Sequence, residues 1–325
     1  ADNGVVALLR EALRASWGLF KIMVPISILV RLLNQTGVVD YLGLALSPVM
    51  NLMGLPGSMG LAWATALVTN LYGGIVVFAT LAPDAQLTVA QVTVLSTVIL
   101  VAHAFPIELR IAQKAGLRFA PLAALRFAGA LVLGWGLHQI YTRTDLLQGP
   151  NLVLWSPPPQ DPSWLVWAGG QAKALFIIFL ILLTLLSLMK LLDRLGVTAL
   201  LTRLLVPVLA LLGISRAAAP ITIIGMTLGF GYGGALIIQE ARSGKLEKRD
   251  VFFSITLMGL CHSLIEDPLL MMALGAHLSG TLWARLLFAL LAIFLLVNLL
   301  RYVPEKTFGR FLCPLPVGGS EEGIG

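Results

Sequence analysis

Long runs of apolar residues restrict this chain more than any other feature of its sequence. The stretches ALFIIFLILLTLLSLM (174–189) and ARLLFALLAIFLLVNLL (284–300), with their apolar flanks, approach the roughly 20 residues that a helix needs to cross a bilayer. Hydrophobic residues make up 58% of the chain and charged residues only 12%, whereas a soluble protein carries about 25% charge. Segments of alternating polar and apolar residues, which a membrane β-barrel needs, are absent. The sequence predicts an all-α, polytopic integral membrane protein.

The basic charge of the chain does not favour nucleic-acid binding. The net charge is +6 and the pI is near 9.6, but basic residues kept on cytoplasmic loops explain this in a protein of a bacterial-type inner membrane. We therefore expect membrane lipid as a partner and no nucleic acid. Two cysteines, Cys261 and Cys313, do not form a disulfide framework, and no cleavable signal peptide is evident.

The chain reads as two copies of one unit. Shifting the sequence by 159 residues brings glycine, proline, histidine and arginine into the same order between residues 37 and 126. After a slip of one residue, Tyr72-Gly73-Gly74 also meets Tyr232-Gly233-Gly234. Unrelated apolar helices share leucines by chance but rarely share these residues. The matched pairs include Gly37 and Gly196, Pro48 and Pro207, Gly54 and Gly213, His103 and His262, Gly116 and Gly275, and Arg126 and Arg285.

Each copy is expected to contain five apolar segments, so that the chain has about ten. Segments 58–82 and 217–240 look like spans interrupted by glycine, and the short segments 40–54 and 198–213 either cross the membrane or are re-entrant. Between the copies, WSPPPQDPSWLVW (155–167) has three consecutive prolines, which exclude a helix there. The expected parts are an amphipathic lead-in (1–16), a first repeat (17–141), an extracytoplasmic linker rich in proline and tryptophan (142–171), a second repeat (172–303) and a cytoplasmic tail (304–325).

The positive charges indicate that the two copies have opposite orientations. Loop 80–88 has no Lys or Arg, while its counterpart 240–250 has four; loop 108–118 has three, while its counterpart 266–277 has none. Basic loops stay in the cytoplasm, so each loop lies on the opposite side from its partner. Both termini are predicted to be cytoplasmic. Inverted repeats of this kind recur in secondary transporters, with substrate sites near the midplane between the repeats.

The repeated Tyr-Gly-Gly motif is the first candidate site. A glycine pair at membrane depth can unwind a helix and free backbone groups to face a ligand. The alternative is close helix packing, which the four-residue spacing of Gly225, Gly229 and Gly233 favours. The predicted substrate-binding residues are Thr69, Asn70, Tyr72, Gly73, Gly74, Gly231, Tyr232, Gly233 and Gly234.

The second candidate site pairs a histidine with an acid near a proline, in AHAFPIE (102–108) and CHSLIEDP (261–268). Ionisable groups within membrane segments are costly and therefore indicate function. The alternative is that the acids lie at span ends and only anchor the helices. We predict coupling or gating roles for His103, Glu108, His262, Glu266 and Asp267.

Enzymatic chemistry is not predicted. Cys261, His262 and Glu266 form only a weak metal-ligand set of mixed softness, so we predict neither a metal site nor a cofactor. The sequence contains no H-E-x-x-H, G-x-S-x-G or G-x-x-x-x-G-K-[ST] motif and offers no catalytic residues. An intramembrane metal-dependent enzyme using the His and acid pairs is the least favoured reading.

Together, the repeats, the motifs NLYGG (70–74) and GYGG (231–234) and the basic stretch EARSGKLEKRDV (240–251) resemble the nucleoside-recognition, or Gate-domain, membrane proteins. This group includes spore maturation proteins and is related to the Gate domains of concentrative nucleoside transporters and ferrous-iron transporters. The resemblance covers about residues 20–140 and 175–300. It implies a membrane transport protein for a small polar solute or ion. An inverted-repeat monomer can hold a complete pathway, and a homodimer is the open alternative for a membrane protein of this size. A non-transporting assembly protein of the spore-maturation type is the alternative.

Overall fold

The computed structural model describes residues 4–151 and 163–314, and regular structure there is helical apart from an isolated bridge between Thr88 and Pro150. Residues 1–3, 152–162 and 315–325 lie outside the described residues; they include the three consecutive prolines of the expected linker and the end of the tail. The helices are α1 (Gly4–Gln35), α2 (Val38–Leu52), α3 (Met59–Val68), α4 (Leu71–Ala85), α5 (Val89–Val101), α6 (Phe105–Lys114), α7 (Phe119–Thr144), α8 (Trp164–Arg194), α9 (Val197–Leu211), α10 (Ala218–Leu228), α11 (Phe230–Arg242), α12 (Lys248–Leu260), α13 (Glu266–Ala273), α14 (Arg285–Leu300, preceded by a π-helical turn, Ser279–Ala284) and α15 (Glu305–Phe311).

Several helices are long and apolar enough to cross a membrane, which makes the chain a multi-pass membrane protein. The expected lead-in is continuous with the first span in α1, and α8 begins inside the expected linker. Large apolar side chains are exposed on the outer helices, for example Leu165 at 84% and Leu299 at 70%, as a lipid-facing surface requires. Five such spans are found in the described part of the chain: Val6–Gln35, Val89–Lys114, Phe119–Thr144, Trp164–Arg194 and Ser279–Leu300.

The two glycine-interrupted segments are helical hairpins, and the prediction that each is a single span was wrong. A Cβ atom at Gly74 of α4 would lie 2.7 Å from the Cβ of Ala66 in α3. Residues eight positions apart in one continuous helix would be separated by about 12 Å, so the chain must reverse between them. In the second half, a Cβ atom at Gly225 of α10 would lie 3.0 Å from the Cα of Gly233 in α11.

Each hairpin turns where the backbone leaves the helical region. Asn70 is extended, and its side-chain oxygen accepts a hydrogen bond from the Gly73 N–H at 3.0 Å, which caps α4. Gly229 takes the same place in the second half with φ 102° and ψ 161°, a conformation that only glycine adopts easily. Asparagine and glycine therefore produce equivalent turns by different means.

Two further helices are broken at matching positions. The break between α5 and α6 contains Ala104 at φ 49°, and the break between α12 and α13 contains Ser263, 159 residues later, at φ 48°. A left-handed conformation is uncommon for residues other than glycine. The hairpin tips contact these breaks, because the Ala104 N–H donates to Ala66 O at 2.8 Å and the Leu264 N–H donates to Met226 O at 2.9 Å.

The ends of the hairpins return to the sides from which they started. Gln91 Nε2 donates to Gly54 O at 2.8 Å, which joins the start of the first hairpin to the segment that follows it. The Ser215 N–H likewise donates to Asp250 Oδ1 at 2.9 Å at the base of the second hairpin. The open end of the first hairpin lies near the end of α7, and the open end of the second hairpin lies near the end of α14. Each hairpin therefore enters the helical bundle without crossing it.

Replacing Gly74 with alanine tests the antiparallel packing. The new methyl group would meet the backbone oxygen of Ala62 at 2.9 Å, and overpacking of this kind costs about 1–3 kcal/mol. Gly136→Ala in α7 is the matched control, because its Cβ would enter open space. Chemical unfolding in mixed micelles should show reduced stability for Gly74→Ala and no loss for Gly136→Ala. Equal stability of the two variants would contradict the hairpin.

Candidate functional site

The two histidines predicted from the repeats lie side by side. His103 follows the end of α5, His262 follows the end of α12, and their ring centroids are 5.1 Å apart. Both side chains are buried, and the ring of Phe230 lies edge-on to His262 at 5.8 Å. The matching breaks of the two halves therefore meet within the protein interior.

The backbone determines which nitrogen of each histidine carries a hydrogen. His103 Nδ1 lies 2.9 Å from Ile99 O, and His262 Nδ1 lies 2.8 Å from Met258 O. A carbonyl oxygen can only accept a hydrogen bond, so each Nδ1 is the donor. In a neutral imidazole the other nitrogen, Nε2, then presents a lone pair.

Glu108 joins the two histidines. Its Oε1 atom lies 3.3 Å from His103 Nε2 and 3.4 Å from His262 Nε2. Its Oε2 atom lies 2.6 Å from Arg126 Nη1, and both side chains are almost fully buried. The carboxylate of the first half therefore contacts both halves and is buried within the protein.

Two arginines bind the carbonyl oxygens that the helix breaks leave free. Arg126 donates from Nε to Val101 O at 3.1 Å and from Nη2 to His103 O at 3.2 Å. Arg285 donates in the same way to Leu260 O at 3.1 Å and to His262 O at 2.9 Å. The ends of α5 and α12 would otherwise leave these acceptors unsatisfied in an apolar interior.

The two halves differ in the acid that accompanies each arginine. Asp267 is the positional counterpart of Glu108 but has one methylene less. Asp267 Oδ2 and Arg285 Nη1 are both buried and have no hydrogen-bond partner among the described residues. Glu108 Oε2 and Arg126 Nη1 likewise have no hydrogen bond of good geometry, but they form an ion pair at 2.6 Å, and no such pair joins Asp267 to Arg285.

A group of metal-ligand type is present in this cluster. One ligand atom from each of His103, His262 and Asp267 lies within 4.8 Å of the others, and all three residues are buried. Among the weak metal candidates from the sequence, His262 belongs to this group, while Cys261 and the half-buried Glu266 do not. Both arginines were predicted only as matched positions of the repeat, although an arginine inside an apolar segment of each half could have indicated the site.

Several glycines of the Tyr-Gly-Gly motifs serve close helix packing. Gly73 and Gly74 face α3, Gly233 faces Gly225, and Gly234 faces Ile111 of α6. This contact accounts for the small residues without a ligand. Contact with a substrate remains a prediction for all nine residues of this group.

The remaining residues of that group lie in varied positions. Thr69 donates to Thr65 O at 2.6 Å, and Gly231 has open space where a side chain would be. Tyr232 is 60% exposed, whereas Tyr72 is partly buried beside Met23. The two Tyr-Gly-Gly motifs therefore have different surroundings, although each begins the second helix of its hairpin.

The fold and the site define a multi-pass helical membrane protein with a buried ionic cluster at the junction of broken helices. Residues 16–118 match the Gate family model, described as nucleoside recognition, which confirms the expected resemblance over that part of the chain. The chain is 28% identical over 294 residues to the uncharacterized membrane protein YvoD of Bacillus subtilis (strain 168), which covers 88% of this chain and 91% of that protein. No solved structure matches the chain significantly.

A double-mutant cycle tests the ion pair inside the site. Removing Arg126 alone leaves the buried Glu108 carboxylate uncompensated, which costs about 3–5 kcal/mol. We expect Arg126→Met and Glu108→Gln to show a coupling energy above about 1 kcal/mol in chemical unfolding. The exposed pair Glu11 and Lys190 is the matched control, with a coupling of about 0–1 kcal/mol. Additive effects at Arg126 and Glu108 would contradict the arrangement.

Proposed function

We propose that this protein is a secondary transporter that moves a small polar solute or ion between its two halves. The observation that carries the proposal is the buried cluster of His103, His262, Glu108, Asp267 and the two arginines. Both halves contribute to it, and it lies where two helix breaks and two hairpin tips come together. Ionisable groups are rare inside membrane proteins and mark substrate and ion pathways.

A purely structural role explains this cluster less well. Well-packed apolar residues of similar volume are often as stable as a buried ion pair, because desolvation offsets the attraction between the charges. The unpartnered atoms Asp267 Oδ2 and Arg285 Nη1 add a further cost. A site that binds a polar solute provides partners for these atoms.

The repeated geometry supports two halves of opposite orientation. The arginine contacts, the histidine contacts and the left-handed residues recur at a spacing of 159 residues. In the proposed topology each half has three crossings and one re-entrant hairpin, and an odd number of crossings inverts the second half. Both termini then lie in the cytoplasm of a bacterial-type cell, in agreement with the loop charges.

Labelling of single cysteines tests this topology. In a chain carrying Cys261→Ala and Cys313→Ser, Arg216→Cys and Lys245→Cys should both react from the cytoplasmic side, because they lie at the two ends of the second hairpin. Asp84→Cys at the end of the first hairpin should react from outside. Both Arg216 and Asp84 are exposed, which permits labelling. Outside reactivity at residue 216 would support a full crossing and contradict the hairpin topology.

Ligand-dependent thermal stabilisation tests the function. The purified protein is heated with nucleosides, amino acids and divalent cations at two pH values, because a ligand that binds only the folded state raises the Tm. We expect a hit that is weakened at least about tenfold by His262→Gln and whose uptake into proteoliposomes is lost in that variant. His277→Ala is the control, since its ring is exposed and outside the cluster.

The alternative of a non-transporting assembly protein gives a different result. It predicts that no solute raises the Tm and that proteoliposomes take up none. It also predicts that the His262→Gln chain assembles normally in membranes. Uptake that is equal in His262→Gln and His277→Ala would instead place the pathway elsewhere and contradict the proposed site.

A further inference from the structure

Three acceptor atoms converge at the centre of the cluster with no hydrogen between them. Nε2 of His103 and Nε2 of His262 lie 3.3 and 3.4 Å from Oε1 of Glu108, and both nitrogens carry lone pairs because each Nδ1 hydrogen is donated to a carbonyl oxygen. A carboxylate and two imidazole lone pairs repel one another at such distances. A positively charged species among the three atoms removes this repulsion.

The two separations between nitrogen and Oε1 match those of neighbouring ligands around a tetrahedral metal ion. Bonds of about 2.0–2.1 Å at the tetrahedral angle place neighbouring ligand atoms about 3.3–3.4 Å apart. A single proton explains the cluster less well. It can lie in only one of the two contacts between nitrogen and oxygen, and it leaves the other contact between two acceptors.

Asp267 supplies a fourth ligand. A carboxylate oxygen of this residue lies within 4.8 Å of both histidine ligand atoms, and Oδ2 is buried without a hydrogen-bond partner among the described residues. A small movement of the side chain would bring it into the coordination sphere. The role of Asp267 is then to complete a set of two nitrogens and two oxygens.

The groups around the four ligands hold them in place. The carbonyl oxygens of Ile99 and Met258 orient the imidazoles, as second-shell acceptors do for metal-binding histidines. Arg126 binds the Glu108 oxygen that faces away from the histidines. Each arginine rests on two carbonyl oxygens at a helix end, where the negative end of the helix dipole offsets part of the arginine charge.

We propose that His103, His262, Glu108 and Asp267 bind one divalent first-row transition-metal ion between the two halves of the protein. Imidazole and carboxylate ligands in tetrahedral geometry suit Zn²⁺ and Co²⁺, and the set contains no thiolate. That this ion is the transported solute rests, in addition, on the proposed transport function.

Direct binding measurements test the site. The full chain, purified in detergent and treated with a chelator, is titrated with Zn²⁺ and with Co²⁺. We expect one ion per chain and the visible absorption of tetrahedral Co²⁺, without the charge-transfer band that ligation by Cys261 would add. His262→Gln and Asp267→Asn should each weaken binding more than tenfold, whereas His277→Ala should bind as the unaltered chain does.

Variants that fail to fold are separated from variants that fail to bind. His103→Gln provides a second ligand variant from the other half, and only variants with a single sharp thermal transition are compared. Absence of stoichiometric binding in the unaltered chain would overturn the site. Equal affinity in the unaltered chain and in the folded ligand variants would also overturn it.

A flux measurement separates the site from the transport step. Proteoliposomes containing a Zn²⁺-sensitive dye should show uptake with the unaltered chain and His277→Ala but not with His262→Gln. Binding without uptake of Zn²⁺ would overturn the metal as the transported solute and leave the metal site supported. Uptake of another solute by a chain that binds no metal would overturn the metal inference and leave the proposed transport function intact.

Discussion

The donation of arginine hydrogen bonds to the ends of broken helices is the interaction on which this structure depends. A helix that ends inside an apolar bundle exposes carbonyl oxygens that no water can satisfy. Arg126 and Arg285 lie on neighbouring helices and donate hydrogen bonds to these oxygens. They thereby lower the energetic cost of the breaks after Val101 and Leu260. The breaks in turn bring the histidines together and give the hairpin tips a surface to contact. Without the arginines, the carbonyl oxygens at the ends of α5 and α12 would be left without hydrogen-bond donors in the protein interior.

Much of the fold could be predicted from the sequence because its main features are periodic or compositional. The apolar runs identified a helical membrane protein, and the repeat spacing aligned residues that have equivalent contacts, such as Arg126 with Arg285 and His103 with His262. The hairpins were missed for a physical reason. A helix interrupted by Asn70 or Gly229 continues across the membrane or turns back depending on the contacts of its second part, and those contacts are long-range.

The site was predicted in part, for a similar reason. Repetition pointed to His103, His262 and the nearby acids, but depth and partners depend on how two halves pack against each other. The sequence predicted the same role for Glu266 and Asp267. In the structure, Asp267 is buried because its position on the helix faces inward, while Glu266 is only half-buried. The glycines of the Tyr-Gly-Gly motifs show a second reason why the site could not be predicted in full. A residue needed for close helix contact and a residue needed for ligand access share the same sequence pattern.

The difference of one methylene between Glu108 and Asp267 has an energetic consequence for any motion that exchanges the roles of the two halves. The longer acid reaches both its arginine and the opposite histidine, whereas the shorter one leaves its arginine partly unpaired. A rearrangement that put Asp267 in the place of Glu108 would therefore lose an ion pair rather than trade it for an equal one. The two conformations related by such an exchange cannot have the same free energy. In the proposed transporter, this difference would favour one of the two conformations at rest, and the length of a single carboxylate side chain would contribute to that preference.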